Sequence, residues 1–114
     1  MPNNIKIIID EFISNVKKIL GENLKEIILY GSYARGDYKK NSDIDIMILT
    51  DLESDELITY RNKIWECAYE IEFEKNVVIS PLLKNIDYFN AWSEVKPFYM
   101  NILKEGVVLD GKKD

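Results

Sequence analysis

Two aspartates, Asp43 and Asp45, stand one residue apart at the head of an apolar run, 44–49 (IDIMIL), and this placement most restricts what the chain can become. Such a run reads as a strand, and along a strand the two-residue period turns both carboxylates to one face. Like charges so close repel. They are tolerable when a divalent cation sits between them, and Mg²⁺ prefers a few carboxylates completed by water and substrate phosphates. Alternatively, the pair is a solvated strand end. Upstream, 26–30 (EIILY) reads as a second buried strand, broken at Gly31, and Gly31-Ser32 stands where a short helix can begin. Glycine lets a bulky anion approach the backbone, and exposed N–H groups with the Ser32 hydroxyl would hold phosphate oxygens. The plainer reading of Gly-Ser after a strand is a turn.

The remaining pattern supplies helices for this sheet. Ile5, Ile8, Ile9, Phe12, Ile13, Val16, Ile19 and Leu20 recur at helical spacing, with Asn3 or Asn4 as cap and Gly21 as stop. Leu57, Ile64, Cys67, Ala68 and Ile71 mark one face of a long helix over 54–73, whose N-terminal dipole Asp55 and Glu56 favour. Residues 77–80 read as a short third strand stopped by Pro81, and 86–92 as a short helix. Pro97 opens a last helix that ends at Gly106, before a terminal strand over 107–109 and a frayed GKKD tail. The order α-β-β-α-β-α-α-β predicts an α+β fold, a small mixed β-sheet backed by helices. At 114 residues, without repeat or Gly/Ser linker, the chain reads as one domain, 1–114.

Composition narrows the function. Fifteen Lys and Arg against 20 Asp and Glu leave a net charge of −5, without the basic footprint that displaces counterions from a duplex. No extended nucleic acid is therefore expected as partner. Lys39 and Lys40 are a local exception, suited to a triphosphate or else part of a solvated loop. The chain has no histidine, which removes His triads, His zinc sites and imidazole bases. Cys67, the single cysteine, reads as a buried, inert thiol. No basic-then-apolar leader and no run of membrane-spanning length is present, so the expectation is a cytoplasmic protein without a membrane partner. Trp65, Tyr69, Trp92, Phe98 and Tyr99 could include a platform for a nucleobase, though their helical spacing points mainly to core.

Joined, the pieces are more specific than any alone: Gly31-Ser32, ten residues, then Asp43-Ile44-Asp45, flanked by strands. This resembles the GS-x10-DxD signature of the DNA polymerase beta-like nucleotidyltransferases, and GSYARGDYKKNSDIDIMIL is similar to their minimal prokaryotic domains. The leading helix, the long helix and PFYMNILKEGVVL extend the likeness over most of the chain.

The resemblance implies a palm-like nucleotidyltransferase fold. It also implies that Ser32 and the amides around Gly31 hold the triphosphate of ATP or another NTP, while Asp43 and Asp45 hold two Mg²⁺ ions. Arg35 would neutralise phosphate charge, or pair with Asp37; Gly36 would serve the turn, and Ser42 would orient the loop before Asp43. The family commonly adds a third carboxylate on a later strand, where this chain reads Glu74-Lys75-Asn76. Asn76 can ligate a metal but cannot accept a proton as a carboxylate does, and Glu74 would substitute if the strand began early. Domains of this kind often act as antitoxins that adenylylate a HEPN-type toxin. The implied activity is thus transfer of AMP from ATP to a hydroxyl of a partner protein. The alternatives are a catalytically weak module acting by contact and a transferase for a small molecule such as an antibiotic.

Overall fold

A computed structural model describes residues 1–111. Four strands, β1 (Leu24–Tyr30), β2 (Ile44–Thr50), β3 (Ile79–Asn85) and β4 (Val107–Gly111), form one sheet in the order β3-β2-β1-β4. β1 is antiparallel to both β2 and β4, whereas β3 is parallel to β2, so the sheet is mixed and the α+β architecture is the one read from the element order.

Alternate residues of each strand feed two cores. Ile27, Leu29, Ile44, Ile46 and Ile48 pack with α1 (Asn3–Leu20) and α3 (Ser54–Lys75), while Ile28, Met47 and Leu49 pack with Phe89 of α4 (Ile86–Trp92) and with Tyr99 and Ile102 of α5 (Pro97–Glu105). β2 is therefore buried along both faces, with Asp45 its one residue that is only half-buried. Each fully buried Ile or Phe contributes about 1.5–3 kcal/mol, which fixes the strand's register firmly around that exception. Cys67 is buried as expected, and burial pushes its thiol pKa up. Among the described residues no helix is long and apolar enough to cross a membrane.

Several boundaries differ from the sequence expectation. Neither Asn3 nor Asn4 caps α1; the helix starts at Asn3 behind an extended Pro2, and the Lys6 N–H donates to the Pro2 carbonyl at 3.1 Å. Gly21 does end it, at φ 54°. α3 opens on a capping box, with the Glu53 side chain accepting from the N–H of Glu56 and the Glu56 side chain accepting from that of Glu53. The third strand does not stop at Pro81; it starts at Ile79, passes through Pro81 and reaches Asn85. β3 is an edge strand, and the neighbouring odd-numbered N–H, that of Ile79, points away from β2 to the Glu72 carboxylate (3.0 Å). Pro81 shares that parity, so its missing N–H falls on the open edge and costs the ladder nothing. Gly111, expected to fray, belongs to β4; the rest of the tail lies outside the described residues.

Candidate active site

The site is built where β1 ends beside the start of β2. Tyr30 pairs with Asp45, and the next residue, Gly31, turns the chain at φ 77°, ψ −157°, a backbone region essentially confined to glycine. A Cβ there would run into Oδ2 of Asp45 and lie 3.1 Å from its Cγ. Gly31 is thus required twice, for its dihedrals and for the room it leaves the carboxylate. A four-residue helix, α2 (Ser32–Arg35), starts immediately. The Gly31 carbonyl accepts from the N–H groups of Ala34 (3.1 Å) and Arg35 (3.0 Å), and among the described residues the amides of Ser32 and Tyr33 have no backbone acceptor. Gly36 closes α2 at φ 90°, the turn role expected of it. The loop back to β2 is cinched by Ser42: its Oγ accepts from the Lys39 N–H at 2.7 Å, and its own N–H donates to the Lys39 carbonyl at 3.1 Å.

Gly31, Ser32, Arg35, Asp43 and Asp45 all line one cleft of about 550 Å³. Asp43 is exposed and Asp45 half-buried. Burial first, and then the charge of Asp43, raise the Asp45 carboxyl above its ordinary pKa, while Arg35 pulls the other way. Tyr30 is pushed up to about 12, chiefly by burial and then by Asp45. Arg35 is engaged by carboxylates, the first of them the Asp37 expected as its loop partner. It pairs with Asp37 (3.2 Å), and with Glu105 of α5 (3.1 Å), yet stays at the cleft's rim.

Asn76 and Glu74 are not brought to this cleft. α3 runs through both Glu74 and Lys75, and Asn76 caps it in the left-handed conformation, φ 57°, ψ 44°. Asn76 instead lines a second cleft of about 820 Å³ behind the loop that carries Lys39 and Lys40. The β3 residue that pairs with Asp45 is Ser80. Among the described residues no three His, Cys, Asp or Glu side chains converge as a ready metal cage. Two neighbouring carboxylates that line one cleft fit a hard divalent cation whose other ligands are water and phosphate oxygens.

Residues not singled out for the site by sequence also line it: Tyr30, and Phe98, Asn101 and Glu105 of α5. Their signal was present in the three- and four-residue spacing of 98, 101 and 105, which is one helical face. Phe98, grouped with the core aromatics, meets Tyr30 edge to face at 5.8 Å on the cleft wall. Tyr99 is core, but Trp92 and Tyr69 are 39% and 58% exposed.

Residues 9–109 match the family described as a nucleotidyltransferase domain. MJ0604 of Methanocaldococcus jannaschii, named as a candidate protein adenylyltransferase, is 38% identical over 104 residues, covering 89% of this chain and 93% of that protein. A second candidate protein adenylyltransferase of that organism, MJ0141, is 37% identical over 76 residues, or 67% of this chain and 75% of its own length. The fold is shared with a toxin-antitoxin crystal structure containing AMP-PNP, at TM-score 0.57 and 20% identity over 91% of this chain and 74% of that one. It is shared too with a candidate minimal nucleotidyltransferase, at TM-score 0.56 and 14% identity over 90% and 92%.

Proposed function

This chain belongs to the nucleotidyltransferase domain family, and on that footing we propose that it transfers AMP from ATP, held with Mg²⁺, to a hydroxyl of a partner protein. The observation that carries the proposal is the convergence of Gly31, Ser32, Asp43 and Asp45 on one cleft. Ser32 and the free amides at the start of α2 bind the triphosphate, and Asp43 and Asp45 hold two Mg²⁺ ions together with phosphate oxygens. Bound there, Mg²⁺ supplies charge neutralisation for the attacking and leaving oxygens. Arg35 at the rim exchanges a carboxylate partner for phosphate. The acceptor oxygen bonds to the α-phosphorus as the bond to the bridging oxygen breaks; pyrophosphate leaves, and the hydroxyl proton passes to water in the cleft. Orientation does most of the work, because phosphoryl transfer asks little covalent chemistry of a protein.

AMP as the group and protein as the acceptor follow the names of the archaeal relatives. The antitoxin role is suggested by the toxin-antitoxin setting of the structural neighbour, and a HEPN-type toxin as its target by the family resemblance of the GS-x10-DxD segment. A second reading, neutralisation of the partner by contact, is favoured by Ser80, which stands beside Asp45 where a third carboxylate would complete the site. The test is to incubate the protein with Mg²⁺, ATP and a purified candidate toxin and weigh the toxin by mass spectrometry. The proposal expects a gain of one AMP, absent with Asp43→Ala plus Asp45→Ala. Neutralisation without a mass change, retained by the folded double variant, establishes the contact reading instead.

A further inference from the structure

α3 carries two apolar faces, and the fold uses one. Ile64, Cys67, Ala68 and Ile71 enter the core. A second stripe, Ile58, Trp65, Tyr69 and Phe73, recurs at seven- and four-residue spacing on the outer side. Ile58 and Tyr69 are 56% and 58% exposed and Phe73 is 92% exposed, while Trp65 and Tyr69 stand 5.9 Å apart and wall a shallow groove. The stripe spans about four turns, roughly 22 Å at 1.5 Å per residue. Exposed large apolar side chains aligned over that length are the mark of an interaction surface rather than scattered surface residues.

Charge selects the occupant. Glu66, Glu70 and Glu74 form an exposed row along one flank of the stripe, with Lys63 as the cation beside them, so the flank is net acidic; none of the three glutamates is ion-paired among the described residues. A second copy packed antiparallel on α3 would set this row against itself. Packed parallel, it would set the row against a flank bearing Glu72 as well as Arg61. Like charges across the interface select against the antiparallel pairing, and the mixed flank of Arg61 and Glu72 gives the parallel one no net attraction, whereas a flank of Lys and Arg alone complements the row. We propose that the outer face of α3 docks an amphipathic helix of another protein, one whose apolar stripe is flanked by Lys and Arg. Its Phe73 end lies toward the catalytic end of the sheet, since α3 leads into β3, where Ser80 pairs with Asp45. Docking itself requires no nucleotide transfer.

The experiment uses the full chain carrying Trp92→Phe, so that Trp65 is the sole indole, titrated with a synthetic Leu-striped helical peptide flanked by Lys. A Glu-flanked peptide of the same stripe serves as control. Saturable blue-shifted Trp65 emission is expected with the Lys peptide alone. Tyr69→Glu plus Phe73→Glu weakens binding by about tenfold or more, as loss of buried aromatic anchors does. Added acid would strengthen a contact made by charge alone, so this weakening reads the stripe. Glu66→Lys, Glu70→Lys and Glu74→Lys together reverse the peptide preference. Unchanged affinity in the aromatic variant, no reversal in the charge variant, or a parent dimer in sedimentation that Phe73→Glu dissolves would each overturn the assignment.

Discussion

Gly31→Ala tests whether the turn after β1 is shaped around Asp45. The new side chain would sit at φ 77°, ψ −157°, which costs a non-glycine residue about 1–3 kcal/mol. Its Cβ would also collide with Oδ2 of Asp45 and approach Asp45 Cγ to 3.1 Å and Cβ to 3.3 Å. Turning the carboxylate out of its rotamer adds about 0.5–1.5 kcal/mol. The expected loss is therefore about 2–4 kcal/mol in urea denaturation followed by circular dichroism, with Tm falling by about 4 °C per kcal/mol for a chain of this size. Gly36→Ala is the control: its φ of 90° strains an alanine, but no atom lies within 4 Å of the added Cβ, leaving only about 1–2 kcal/mol of backbone cost. In the Gly31→Ala background, Asp45→Ala removes the collision and should return about 1 kcal/mol relative to its effect in the parent, a coupling of the usual size for neighbours. If the two substitutions add without coupling, the carboxylate is not what Gly31 makes room for.

Three further outcomes follow from the geometry. Because burial and Asp43 raise the Asp45 pKa in the folded chain, stability contributed by its protonated form is lost as pH rises from about 4, the unfolded value, through the raised one. Asp45→Asn should then raise Tm at neutral pH without divalent cations, a gain that disappears below about pH 4; an unchanged difference across that range contradicts it. Tyr30, at about 12, should be the late transition in a spectrophotometric tyrosine titration, lost in Tyr30→Phe and shifted downward, though not to the ordinary tyrosine value, in Asp45→Asn. Pro81→Ala should cost less than about 1 kcal/mol, the unfolded-state term alone, because the restored N–H faces the open edge of β3; a larger loss would mean that Pro81 does more than tolerate that edge.

Local pattern disclosed most of the elements because it depends on neighbours in the chain. The period of Ile5 to Leu20 and the stop at Gly21 defined α1, and the apolar run of 44–49 behind Asp43 marked β2. The meaning of a single residue depends on surroundings that its neighbours in the chain do not supply. Pro81 ends a strand only if its nitrogen faces a partner, and the edge position of β3 removes that condition. Asn76 would stand near the acidic pair only in a strand that began at 77; α3 holds the backbone helical to Lys75, and β3 begins at Ile79.

That a glycine, a serine hydroxyl and two carboxylates flank two strands is legible in the chain alone, since dihedral preference and side-chain period are properties of short segments. That Ser80 stands beside Asp45, that Glu105 of α5 reaches Arg35, and that one apolar face of α3 is left outside emerges only once the elements are assembled. Those relations depend on strand order and on which helix covers which face of the sheet. Residues tens of positions apart meet through burial shared by the whole chain, a term no local window contains.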